Sequence, residues 1–215
     1  MIITMSGLGL GQMMISAGAE NSMALFVLAS VLVSIAVVPI LLSSTGAPNF
    51  EEPERMSVRR LLQVSPLAVI GLGLNGVAVS MLFGMGAVYS LSIGLDSSEV
   101  GYFMTAPVFG ALILQYPVGR LSDRFDRRMV IMGVAVVGGI AAGLATLFGK
   151  GEFALLLVCM LIYGGSLFPL YSLCIAHAND FLTPRQMVAA ASGLVMVNGG
   201  AVSYTHLTLP TMIRV

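Results

Sequence analysis

The ten residues from Gly119 to Arg128 form the densest group of charged side chains in this sequence, and six of them are charged. Asp123 can accept hydrogen bonds from backbone N–H groups at a helix N-terminus, where the helix dipole favours a carboxylate. Arg124, Arg127 and Arg128 can hold that carboxylate and other helix ends, and Gly119 permits close helix approach. We therefore predict a latch that joins groups of helices in one state and releases them in another. A basic turn without such a role is the simpler alternative.

A second group of polar side chains lies inside long apolar stretches, where polar residues are unfavourable and are functional candidates by default. We expect these residues to contact a solute: Gln12, Asn75, Gln115 and Tyr171. The alternative for each amide is an interhelical hydrogen bond that holds helices together. His177 and Asp180 close another apolar stretch, where a cation complements a helix C-terminus. They are also candidates for a gate contact with the loop that contains Asp123.

The composition of the chain indicates whether water or lipid surrounds these residues. The chain has 215 residues, of which 57% are hydrophobic and 9% charged, with a mean hydropathy of +0.97. Soluble domains carry roughly 25% charged residues. We therefore predict an all-α integral membrane protein with the lipid bilayer as its partner. The net charge is zero, which gives no reason to expect a nucleic-acid partner.

Common catalytic and metal-binding motifs are absent from the sequence. The chain contains no HExxH, GxSxG, phosphate-binding loop, Cys/His cluster or buried pair of acids. We therefore expect no enzyme activity, no cofactor and no metal.

Seven apolar stretches are long enough, or nearly so, to cross a bilayer as helices, which takes about 20 residues. They are Ile2–Gly18, Met23–Leu42, Pro66–Ile93, Val100–Val118, Met129–Phe148, Phe153–Ala176 and Met187–Val202. The longest break, Ser43–Ser65, contains two Pro, three Glu and three Arg, and is the only segment that reads as a linker.

Basic residues are confined almost entirely to alternate connections. Eight of them precede the third stretch or lie in the fourth-to-fifth and sixth-to-seventh connections, whereas Lys150 is the only one in the other connections. The side with the eight basic residues should be cytoplasmic.

The order GRLSDRFDRR resembles the signature loop of the major facilitator superfamily, Gly-x-x-x-Asp-Arg/Lys-x-Gly-Arg/Lys-Arg/Lys. The match covers Gly119, Asp123, Arg124, Arg127 and Arg128, and Asp126 replaces the glycine of the pattern. In that family the loop joins helices 2 and 3 and recurs between helices 8 and 9. The strings GLGQMM, FPLYSL and AHAND also resemble the YcaD-like branch of bacterial permeases.

The position of the loop implies which helices the chain contains. If residues 43–65 are the cytoplasmic linker between helices 6 and 7, the seven stretches are helices 5 to 11 and the predicted orientation agrees. The resemblance then implies a fragment of a twelve-helix bundle. Residues 1–42 end the N-terminal half, residues 66–202 form a truncated C-terminal half, and the remaining helices of the full-length chain are partners.

Residues 203–215 change to a Thr-rich sequence that resembles translated sequencing-adapter text, and we expect an artefactual tail there.

The resemblance implies a multi-pass permease of the bacterial cytoplasmic membrane that moves a small solute by alternating access. In this family helices 7 and 10 line the pathway, which favours Asn75 and Tyr171 as solute contacts. All ten acidic residues lie in connections or at helix ends, so a carboxylate that couples a proton would have to lie in the missing half. The alternative is a membrane sensor or assembly protein that keeps the scaffold without transporting.

Overall fold

The computed structural model describes residues 23–42, 56–148 and 151–212, together with Gly7 and Gly11. Within these residues the chain forms helices and no strands. The helices are α1 (Met23–Leu41), α2 (Val58–Val64), α3 (Pro66–Ser92), α4 (Ser97–Arg124), α5 (Arg127–Phe148), α6 (Phe153–Asn179) and α7 (Pro184–Met212). Five of them, α3 to α7, are long and apolar enough to cross a membrane. The predicted all-α membrane bundle is therefore confirmed, while the first apolar stretch, residues 2–18, lies outside the described residues.

The long helices extend beyond the predicted stretches because polar residues cap their ends. α4 begins at Ser97, where Asp96 accepts a hydrogen bond from the Glu99 N–H at 2.8 Å and Glu99 accepts one from the Asp96 N–H at 3.0 Å. This reciprocal capping satisfies two backbone donors that a helix start leaves free. At its other end α4 continues to Arg124. Most of the charged segment, Gly119 to Arg128, is therefore helical, and only Phe125 and Asp126 form the turn.

The predicted linker also differs from the structure at its end. Residues 43–55 lie outside the described residues, but Val58–Val64 form the short helix α2, which begins where Ser57 accepts a hydrogen bond from the Arg60 N–H. Leu61 is 1% exposed and packs against Gly193 of α7. Apolar residues at helical spacing therefore attach this end of the segment to the bundle.

The expectation that the last helix ends at Val202 is wrong, since α7 continues to Met212. Thr, Ser and Tyr have modest helix propensity, but they do not end a helix that is already formed. Whether residues 203–215 are foreign to the protein stays a prediction.

The centre of the bundle is the contact between α4 and α6, where small residues let the two backbones touch. A side chain at Gly110 would collide with the backbone of Leu161, and one at Gly164 would collide with the backbone of Pro107. Lipid tails are as apolar as the side chains, so such close packing is a main source of helix association in a membrane. α5 also packs on α6, and α7 packs on α3.

Two groups of buried apolar residues lie on either side of this contact. The turn-side core lies near the α4–α5 and α6–α7 turns and includes Leu61, Leu72, Cys174 and Leu194. The far core, toward the opposite ends of the helices, includes Leu82, Phe103, Leu156 and Met160. The helices are therefore held together along most of their length.

The α4–α6 contact predicts different outcomes for alanine at two glycines. Gly164→Ala should lower the free energy of unfolding by roughly 1–3 kcal/mol, because the added Cβ overpacks against Pro107. Gly143→Ala is the control, since no described atom lies within 4 Å of its Cβ position and alanine favours the helix by about 0.5–1 kcal/mol. Unfolding in mixed detergent micelles, followed by circular dichroism, measures both values. Equal effects at the two positions would contradict the proposed contact.

Candidate gate loop and membrane-depth polar residues

The charged segment is organised by the turn between α4 and α5. The Asp126 carboxylate accepts a hydrogen bond from the Arg128 N–H at 2.8 Å and so caps the start of α5. The family pattern has glycine here, and the capping bond gives the aspartate a local structural role. The departure from the pattern therefore leaves a well-formed turn.

Arg127 ties this turn to the end of α6. Its Nη1 donates to both carboxylate oxygens of Asp180, at 2.8 and 2.9 Å, and its Nε donates to Ser122 Oγ at 3.2 Å. The Arg127 side chain is 22% exposed and that of Asp180 is 48% exposed. Charge-assisted hydrogen bonds in a partly buried position are stronger than exposed ones. We call this group, Ser122, Arg127 and Asp180, the turn clamp.

An aromatic contact lies beside the turn clamp. The Arg128 guanidinium lies 5.7 Å from the centre of the Phe181 ring, and the His177 ring meets Phe181 edge-on at 5.2 Å. His177 is 4% exposed. The structure therefore brings His177 and Asp180 next to the charged segment, as the gate-contact hypothesis requires, through Phe181 and Arg127 rather than through Asp123.

Asp123 remains largely outside these contacts. Its side chain is 77% exposed, and Arg127 Nη2 is 3.9 Å away. Asp180 lies closer to Arg127 than Asp123 does and is bound through both oxygens. That Arg124, Arg127 and Arg128 can hold the Asp123 carboxylate stays a prediction. No described atom lies within 4 Å of where the Cβ of Gly119 would be, so its role in close helix approach stays a prediction. Asp123 and Gly119 are thus both accessible from outside the described bundle.

Three of the four predicted solute contacts lie at similar depth in different helices. Asn75 and Gln115 are each nine residues, or about 14 Å, from the turn-side ends of α3 and α4, and Tyr171 is eight residues from the end of α6. Asn75 is 5% exposed. Within the described residues, Asn75 Oδ1 and Gln115 Oε1 are buried without a hydrogen-bond partner. Gln12 lies outside the described residues.

Asn198, which was not among these four candidates, has the alternative role of an amide: it holds two helices together. Asn198 of α7 donates from Nδ2 to the Leu72 carbonyl oxygen of α3 at 3.1 Å. Its backbone oxygen would lie 2.7 Å from a Cβ at Gly76. Asn198 therefore fastens α7 to α3, and the small residue opposite it was the sequence signal for that contact.

A cavity of about 390 Å³ lies among α3, α5 and α6. Most of its lining is apolar, and its polar members are Asn75, Tyr163 and Ser166. Tyr171 and Gln115 do not line it. The cavity therefore contains only one of the three described candidates.

These features, apolar membrane-length helices joined by the charged segment, are those of a multi-pass membrane protein. The chain belongs to the Major Facilitator Superfamily, whose family profile matches residues 1–204.

The relatives that the chain matches are named as transporters. The chain is 25% identical over 201 residues to the uncharacterized MFS-type transporter YcaD of Escherichia fergusonii, and 26% identical over 198 residues to an uncharacterized MFS-type transporter of Enterobacter sp. strain 638. Each match covers 91% of this chain and 50% of the relative. The chain thus spans about half the length of the curated relatives it matches. No solved structure matches it.

The turn clamp predicts coupling between two residues that are 53 positions apart. Arg127→Gln and Asp180→Asn should each destabilise the protein, and the double variant should lose less than the sum by about 1 kcal/mol, since either single change already breaks the pair. A double-mutant cycle of unfolding free energies in detergent measures this coupling.

Arg120→Gln is the control for this cycle, because Arg120 donates to exposed Tyr116 Oη and has no part in the clamp. Its effect should stay within about 0.5 kcal/mol. Strict additivity of Arg127→Gln and Asp180→Asn would show that the ion pair contributes no measurable stability.

Proposed function

We propose that this chain is part of a secondary active transporter that moves a small solute across the bacterial cytoplasmic membrane by alternating access. Two observations carry the proposal. The chain belongs to this family, and the charged turn has one part held in the turn clamp and another part, Asp123, whose side chain is exposed. Transporters of this type work by rocking one helical unit against another around a site near the middle of the bilayer. Residues 1–42 and 66–202 would belong to the two units, with residues 43–65 between them.

The clamped part of the turn favours movement of the bundle as one body. Arg127 joins the start of α5 to the end of α6, and Ser122 joins the end of α4 to the same guanidinium. Three helix ends on one face of the bundle are thereby held together, so rocking would occur outside α4, α5 and α6 rather than between them.

In this proposal the gate is formed by the residues of the charged turn that lie outside the turn clamp. Asp123 is exposed at the end of α4, Gly119 is half-buried about one turn before it, and Arg124 is the last residue of that helix. In the closed state the carboxylate would accept hydrogen bonds from a helix N-terminus of the other unit. Release of these bonds would allow that side to open.

The solute would bind where Asn75, Gln115 and Tyr171 lie at a common depth. Asn75 and Gln115 each have a buried oxygen without a partner in the described structure, which is a costly arrangement unless another group supplies a hydrogen bond. A solute with hydrogen-bond donors would supply it. Within the described residues no Asp or Glu lies in the middle of a membrane-length helix, so a proton-coupling carboxylate would have to come from elsewhere in the full-length protein.

The gate is tested by Asp123→Asn in the full-length protein, reconstituted in proteoliposomes and assayed across a panel of metabolites. Loss of hydrogen bonds to a charged group, roughly 1.5–3 kcal/mol, should lower the transport rate about tenfold or more. Insertion should not change, because the described bundle does not depend on this exposed side chain.

Glu152→Gln is the matched control, an exposed carboxylate at the opposite end of the bundle with no side-chain capping bond. It should leave the rate unchanged. Equal rates for Asp123→Asn and the unaltered protein would rule out the gate role. A complete protein that moves no solute in the panel would instead favour the sensor or assembly alternative.

A further inference from the structure

One side of α4 carries a line of exposed residues whose chemistry changes along the helix. At about 100° per residue, its five members lie within about 40° of one direction. They are Phe109, Ile113, Tyr116, Arg120 and Arg124, which we call the α4 stripe. Ile113 is 58% exposed and Tyr116 is 63% exposed, and the other three are exposed as well. Pro107 and Leu114, which contact α6, lie about 120–140° around the helix from Arg120, so the stripe faces away from that contact.

The order of residues along the α4 stripe matches the layers of one bilayer leaflet. Phe109 and Ile113 are apolar, Tyr116 carries a hydroxyl group, and the two arginines follow toward the turn. Phe109 and Arg120 are eleven residues apart, or about 16 Å, and the hydrocarbon of one leaflet is about 15 Å thick. Tyrosine is enriched at the level of the lipid headgroups. The stripe therefore has the length and the polarity of a single phospholipid molecule.

The positive charges at the turn-side end of the α4 stripe lack a matching carboxylate. Arg120 Nη1 donates to Tyr116 Oη at 3.0 Å, a contact that orients the guanidinium but brings no negative charge. In the described part of the chain, neither Arg120 nor Arg124 forms an ion pair, because both ion pairs near this turn belong to Arg127. Asp123 lies about 60° to one side of Arg120. Two guanidinium groups against one nearby carboxylate leave this surface with a net positive charge.

We propose that the α4 stripe binds an acidic phospholipid. Its phosphate would accept hydrogen bonds from Arg120 and Arg124, Tyr116 would donate its O–H to a phosphate or ester oxygen, and an acyl chain would lie along Ile113. The planar guanidinium group suits phosphate because it can donate two parallel hydrogen bonds. The turn side of the bundle is the side predicted to be cytoplasmic, where anionic lipids attract arginines near the surface. This inference is independent of whether the protein transports a solute.

α5 provides a matched surface without in-line arginines. Val136 is 60% exposed, and the exposed Met132 and Met129 continue from it toward the turn. Arg128 lies about 80° around the helix from Val136, and its guanidinium lies over the Phe181 ring. Val136 is nine residues from the turn-side end of α5, and Ile113 is eleven from that of α4. The two positions therefore have similar depth and exposure, but only Ile113 lies in line with two arginines.

The test measures which lipid contacts each position, by quenching of tryptophan fluorescence. The chain contains no tryptophan, so Ile113→Trp or Val136→Trp introduces a single one, with tryptophans elsewhere in the full-length protein replaced by phenylalanine. Each variant is reconstituted in equal mixtures of phosphatidylglycerol and phosphatidylcholine, in which one or the other lipid is brominated on its acyl chains. The relative affinity for phosphatidylglycerol should be about fivefold or more at Ile113→Trp, the effect expected of one arginine near an anionic lipid, and close to one at Val136→Trp.

Adding Arg120→Gln and Arg124→Gln to Ile113→Trp should reduce the preference to that at Val136→Trp, and Phe109→Trp provides a second position on the stripe if Ile113→Trp does not fold. Equal preference at the stripe and at Val136→Trp would overturn the proposal. So would a preference that persists without the two arginines. Absence of quenching by either brominated lipid at the stripe would also overturn it, since another part of the full-length protein then covers the stripe.

Discussion

The arrangement of the bundle depends on direct contact between the backbones of α4 and α6. Gly110, Gly164 and Gly165 leave no room for a side chain at the crossing, and Pro107 presses against Gly164. Because lipid supplies no hydrophobic force between helices, van der Waals contact at such crossings must hold them together. The contact fixes how α4 and α6 face each other at the centre of the bundle.

The turn clamp depends on the packing of α5 against α6. Once α5 and α6 lie side by side, with Gly138 against Ser166, the first residue of α5 comes within reach of the carboxylate that follows α6. Arg127 is then occupied by Asp180, and Asp123 on the adjoining helix stays exposed. A motif that looks like one cluster in the sequence therefore divides into a clamp within the bundle and a surface group available to the rest of the protein.

The sequence predicts those features that depend on local composition. Apolar length predicted five of the membrane-length helices, and the Gly-x-x-x-Asp-Arg pattern predicted the family. The predicted helix ends were less accurate than the predicted helices. Capping by Asp96 and Glu99 extends α4 past its apolar part, and Ser57 starts an additional helix. The pairing of Arg127 with Asp180 could not be predicted from spacing, since it joins residues 53 positions apart through the packing of α5 on α6.

The central claim is that the clamped helices move as one body while the exposed gate residues change partners. Distances between spin labels in the full-length protein, measured with and without a transported solute, test it most directly. A label pair on Arg120 of α4 and Thr183 in the α6–α7 turn should keep one distance in both conditions. A pair on Arg120 and Leu42, at the end of α1, should shift between two distances. Separation of Arg120 from Thr183 on solute addition, or a constant distance from Arg120 to Leu42, would contradict the account.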